Sequence, residues 1–133
     1  MAHEITTLWD VEEIPDADYL FLRVHRNDLD GEGKPTPGAF RNHPKRTDGM
    51  SVDWAKYRTP TETRGHGPQP PEKYAVVKFT ASRVRSIPSQ VVTHEPLDSN
   101  RAHSEVFGKK DTEVRERFMG IYEVEIPLST IPN

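Results

Sequence analysis

The chain has 133 residues, one third of them hydrophobic and 29% charged, with twelve prolines, so it can build one modest core and many loops. It has no cysteine, which excludes disulfides, thiolate metal sites and a cysteine nucleophile. The net charge of −3 is unevenly spread: residues 1–32 carry nine acids and two bases, while residues 33–93 carry eleven bases and four acids. A basic middle of this kind suits a phosphate-bearing ligand, RNA or an acidic partner. The N-terminus has no apolar signal-like run, and no stretch approaches the ~20 apolar residues of a membrane span. A cytoplasmic protein without membrane attachment is the expectation.

Residues 1–18 are polar and acidic, with Trp9 and Ile14 as anchors and a turn or short helical piece stopped by Pro15. Tyr19 to His25 is a central strand, and Arg23 and His25, two residues apart, share one of its faces. Residues 26–49 are so rich in Pro, Gly and Asp that they predict a mobile loop, and residues 64–72 predict a second. Asp28 opens a faint calcium-loop pattern, but its twelfth position is Ala39 rather than a glutamate, and calcium is rejected. Met50 to Tyr57 alternates as a strand, and Thr59-Pro60-Thr61-Glu62 has the form of a capping box.

Lys73 to Thr80 is the next strand, and Ala81 to Ser86 a bend or single helical turn bearing Arg83 and Arg85. Gln90–Thr93 and Ala102–Phe107 are strands around a turn. Asp111 to Met119 is the strongest helix, capped by Asp111 or Thr112, with Val114 and Phe118 as an i,i+4 apolar pair and Gly120 at its end. Ile121 to Ile126 is a last strand with Tyr122, Val124 and Ile126 on one face. The pattern predicts a single α+β domain over 1–133: a small, mainly antiparallel β-sheet, one or two short helices and long Pro/Gly-rich loops. Leu20, Leu22, Val76, Phe79, Val92, Phe107, Val114, Phe118, Tyr122 and Val124 are the expected core.

Six histidines invite a metal, yet no short-range ligand spacing is present, so neither a metal nor another cofactor is expected. The chemistry that the residue types suit best is recognition of a nucleotide or other phosphorylated ligand in a His/Arg-lined cleft. His94 and His103 flank one turn and are the candidate acid–base pair for a phosphate ester. Arg23, His25, Arg83, Arg85 and Arg101 are candidate anion contacts, and Ser51 and Asn100 candidate hydrogen-bonding groups. Whether the chain is an enzyme stays open at this point.

Two alternatives stand beside that reading. Arg23 on an early strand, Ser51 on a later one and Glu123-Val124-Glu125 on the last resemble the Arg, Ser, Glu-x-Glu order of one class of mono-ADP-ribosyltransferases. The resemblance implies an NAD-using enzyme in which Arg23 holds NAD, Ser51 supports the nicotinamide site and Glu125 assists ribosyl transfer. The usual Ser-Thr-Ser triplet is here Met50-Ser51-Val52. The other alternative is a non-enzymatic module for RNA or an acidic protein, using Arg41, Lys45, Arg46 and Arg64 near Phe40.

Overall fold

The computed structural model describes residues 8–45, 48–67 and 69–128. Its centre is one antiparallel sheet of six strands: β1 Tyr19–His25, β2 Gly49–Trp54, β3 Tyr74–Thr80, β4 Val91–His94, β5 His103–Phe107 and β6 Glu123–Ile126. Their order across the sheet is β4-β5-β2-β1-β3-β6. Three helices complete it, α1 Pro60–Gly65, α2 Ala81–Arg85 and α3 Thr112–Met119. The α+β architecture therefore follows the sequence pattern, with short 3₁₀ turns at Arg26–Asp28, Pro37–Ala39 and Pro71–Lys73 added.

Strand alternation divides the sheet into two faces. Leu20, Leu22 and Val24 of β1, Met50, Val52 and Trp54 of β2, and Val77 and Phe79 of β3 all belong to one buried cluster. Ala81 and Val84 of α2 and Val114 and Phe118 of α3 close over it. The opposite face carries Phe21 and Arg23 of β1 and Ser51 and Asp53 of β2. α1 and the turn between β4 and β5 frame that face, through Thr63 of α1 and Leu97 and Asn100 of the turn.

Local chemistry explains where the helices begin. Thr59 accepts from the Glu62 N–H at 3.2 Å while Glu62 accepts from the Thr59 N–H at 3.0 Å, so the capping box is complete. Asp111 caps α3 by accepting from the Val114 N–H at 3.0 Å. Residues 26–45 are more tied down than their composition suggests. Leu29 and Pro35 form a bridge, and Phe40 is fully buried, its ring stacked 5.2 Å from Phe118.

Three core expectations change: Tyr122 is only partly buried, at the margin of the core. Val124 is 44% exposed because β6 is an edge strand whose outer residues meet solvent. Phe107, at the end of β5, is only half-buried. Their places are taken by Phe40 and Trp54, both with almost no exposed surface.

Phe118→Ala should cost about 3–5 kcal/mol, as for a large buried aromatic, since its ring packs on both Phe40 and Phe79. Phe40→Ala should fall in the same range despite lying in a loop. Urea unfolding of the two variants checks both, and a loss near zero for Phe40 would show that the loop does not anchor the core.

Candidate functional site

The site arises from an interruption in the sheet. β1 pairs with β3 along all seven residues, but with β2 only at Leu20↔Trp54 and Phe21↔Asp53. Beyond that point β1 and β2 lose their ladder, and two hollows occupy the fork. The first, about 350 Å³, is lined by Phe21, Arg23, His43, Ser51, Val52, Asp53, Thr63, His66, Leu97, Asn100 and His103. The second, about 420 Å³, has Arg23, His43 and Ser51 in common with it and continues to His25, Asp28, Arg41 and Tyr74. Both volumes lie in the lower part of the range for small-molecule sites, ~300–1,000 Å³.

Arg23 stands at the junction. Its guanidinium lies 4.5 Å from the centre of the Tyr74 ring and makes no hydrogen bond or ion pair with the described residues. Gly67 passes so near that a Cβ there would sit 2.6 Å from Arg23 Nη1, which is why no larger side chain fits that position without displacing the arginine.

His103, Glu105 and Ser51 form a connected group on β5 and β2. The register sets Ser51 opposite Glu105 and Asp53 opposite His103. His103 Nδ1 faces the Glu95 carbonyl at 2.8 Å, and Nε2 faces Glu105 Oε2 at 2.9 Å. Both partners accept, so the protonated ring, which donates through both nitrogens, satisfies them best. Burial, the largest influence, opposes that charge. The hydrogen bonds to Glu105 and Glu95 and the nearby Glu105 and Asp53 charges outweigh it and raise the His103 pKa. Ser51 Oγ donates to Glu105 Oε2 at 3.3 Å and also lies 3.3 Å from His103 Nε2. Serine and carboxylate thus share one ring nitrogen, which is not the relay of a serine hydrolase, where they occupy opposite nitrogens.

His66 follows α1 at the mouth of the same hollow. Its pKa moves the other way, lowered first by burial and then by Arg58, against an opposing pull from Asp53. Burial thus favours the neutral form of His66, while the partners of His103 favour its charged form, beside Arg23 and close to Arg58.

Of the other residues singled out by sequence, Ser51, Asn100 and His103 line the first hollow and His25 the second. His94 does not join them. β4 sets His94 opposite Ser104, so His94 and His103 point to opposite faces of the sheet. His94 is 1% exposed against Trp54 and Tyr57. Its Nδ1 accepts from the Glu12 N–H at 3.0 Å, and Nε2 donates to the Arg101 carbonyl at 2.7 Å.

Arg101 lies over the rings of Trp9 and Tyr57, at 4.7 and 4.0 Å, with Glu12 at 3.7 Å. Arg83 and Arg85 ride on α2, on the core side of the sheet, and Arg85 donates to the Ile14 carbonyl and Asp16. Among the bases offered to RNA, Arg41 pairs with Asp28 and Arg64 donates to the Pro71 and Tyr74 carbonyls, while Arg46 lies outside the described residues. Asp53, Arg58, Thr63 and His66 were not singled out by sequence. Their only signal is that they surround the capping box that seats α1 over the cleft.

One wall of the cleft is fixed from behind by Lys110. Its ammonium donates to Asn42 Oδ1 at 2.7 Å, the Gly108 carbonyl at 2.7 Å and the Val106 carbonyl at 3.0 Å. Burial pushes its pKa down to about 8, against a smaller opposing effect of Glu105. The described residues contain no group of three or more His, Asp or Glu side chains that could hold a metal ion. The chain matches no family model, no curated protein and no solved structure.

The raised His103 pKa has a definite sign for stability. The contribution is fully present below about pH 6.5, the unfolded value, and is lost as pH rises through the higher folded value. The melting-temperature gap between wild type and His103→Gln should therefore be widest at mildly acidic pH and narrow as the pH rises. A gap that widens with pH would show that the ring is neutral in the fold.

Proposed function

We propose that the cleft binds a nucleotide through its phosphates, with Arg23 as the principal anion contact. The observation that carries this reading is Arg23 itself: a cation in a concave site, braced by an aromatic ring and a close backbone, with no carboxylate paired to it. Leaving a guanidinium without an acid partner is costly in a recess and useful only if an anion arrives. Arg58, and His103 in its protonated form, add positive potential nearby, and Asp53 and Glu105 limit it, so a ligand with a compact anionic group and a neutral remainder fits better than a polyanion.

A more specific reading is an NAD-using transferase of the ADP-ribosyl type, favoured by the hydrogen bond between Ser51 and Glu105. The resemblance to mono-ADP-ribosyltransferases needs an arginine, a serine and a glutamate in one site. Arg23 and Ser51 line both hollows, and Glu105 on the adjacent strand is buried and hydrogen-bonded to Ser51. Glu125 lies on edge strand β6, separated from β2 by β1 and β3, and is paired with Lys78 at 2.8 Å. In this reading Glu105 stabilises the positive charge that develops on the ribose as its bond to nicotinamide breaks, and Ser51 holds the carboxylate in place.

AMP, ADP-ribose and NAD should each be tested by thermal shift. A ligand at 100 times its dissociation constant stabilises the fold by ~2.7 kcal/mol. Arg23→Gln should abolish the shift, and Arg23→Lys should weaken it because the planar two-pronged contact is lost. No shift with any of the three would overturn the nucleotide reading. For the transferase reading, release of nicotinamide from NAD should stop in Glu105→Gln while binding persists, and should continue in Glu125→Gln. The opposite pattern would return the role to β6.

A further inference from the structure

Asp53 is 7% exposed and lines the first hollow. Its Oδ1 accepts from Asn100 Nδ2 at 2.8 Å, and Asn100 is itself locked, its Oδ1 accepting from the Ala102 N–H at 3.0 Å. Asp53 is thus held in one orientation by a side chain that is 4% exposed. The other oxygen, Oδ2, faces Arg58 Nη1 at 3.6 Å, near enough for attraction but too long for a hydrogen bond. No described residue donates to it, and Arg58 Nη1 is buried without a hydrogen bond.

The surroundings restrict what completes this carboxylate. An ionised Asp53 is acceptor-only, so the missing bond comes from a donor on the incoming molecule. Phe21, Val52 and Leu97 line the same hollow and offer apolar surface that suits a flat ring better than a sugar. Thr63, 4% exposed, lines it too, and its hydroxyl is buried without a partner. A ring edge bearing an N–H group next to a carbonyl or ring nitrogen would supply both atoms with what they lack.

We infer that Asp53 is a specificity residue that accepts a hydrogen bond from an exocyclic amine or primary carboxamide on an aromatic ring of the ligand, with Thr63 serving the neighbouring acceptor. This assignment rests on the nucleotide reading of the cleft. It predicts that the site rejects a nucleotide whose amine is replaced by an oxo group, or whose carboxamide is replaced by a carboxylate, because an acceptor would then face an acceptor.

Three dinucleotides test it by calorimetry: NAD, its deamidated form in which the carboxamide is a carboxylate, and its 6-oxo form in which adenine is hypoxanthine. Wild type should bind one of the two altered forms at least tenfold more weakly than NAD, which also identifies the ring in the first hollow. In Asp53→Asn, which keeps an amide oxygen for Asn100, that preference should vanish or invert, and a melting curve checks that the variant folds.

Equal wild-type affinity for all three would overturn the assignment of Asp53 without any variant. If Arg23→Gln still abolished binding, the phosphate contact would stand alone. Discrimination that survives in a folded Asp53→Asn would also overturn it. Binding of none of the three would overturn both this inference and the nucleotide reading.

Discussion

The brevity of the β1–β2 ladder governs the rest of the molecule. A six-stranded antiparallel sheet normally satisfies its central backbone groups by continuous pairing. Here the middle of the sheet is joined at Leu20↔Trp54 and Phe21↔Asp53 and then opens. The loss is tolerated because the core face beneath stays closed. Leu22, Val24, Met50 and Val52 remain in one apolar cluster with Phe40 and Phe118, so burial holds together what hydrogen bonding does not. The opening is also what turns a flat face into a concave one.

Charge in that opening is arranged by strand register. Asp53 and Glu105 belong to adjacent strands and point to the same face as Arg23. Glu105 is committed to His103 and Ser51 and one oxygen of Asp53 to Asn100, whereas Arg23 lies against an aromatic ring. Local net potential therefore depends less on the count of charges than on which of them face another: Glu105 faces His103 and Asp53 faces Arg58, whereas Arg23 faces no carboxylate.

Much of the fold was legible because it rests on short-range chemistry. The Tyr19–His25 strand, the Thr59 capping box and the helix after Asp111 are set by alternation, by a hydroxyl with a glutamate three residues on, and by an i,i+4 apolar pair. The site was legible only in part. Arg23, Ser51, Asn100 and His103 meet in one hollow, but His94 falls on the other face, because parity along β4 and β5 depends on a register that sequence does not display. Glu105 and Glu125 are equally plausible as glutamates on strands, and only the order of strands across the sheet separates them. Phe40 was hidden by its setting: a single aromatic residue in a Pro/Gly-rich segment carries no periodicity, yet a stacked ring in the core anchors that whole segment. Asp53, Thr63 and His66 have ordinary sequence contexts and acquire meaning only from the fork they surround.

The Lys110 clip sets local order and global stability on different courses as the solution turns alkaline. Its ammonium has three protons for three oxygens, one on Asn42 and two on the backbone of the β5 end. With the folded pKa near 8 and the free-chain value at 10.5, raising the pH between them relieves the cost of a buried charge, and the folded state gains. The neutral amine, however, has two protons for the same three oxygens, so one tie is released. The segment around Asn42 is the part fastened by a side chain rather than by the strand itself. In mild alkali Lys110 itself therefore favours the folded state more while fastening the wall of the second hollow less, and Asn42 keeps its own hydrogen bond to the Gly108 carbonyl at 3.1 Å.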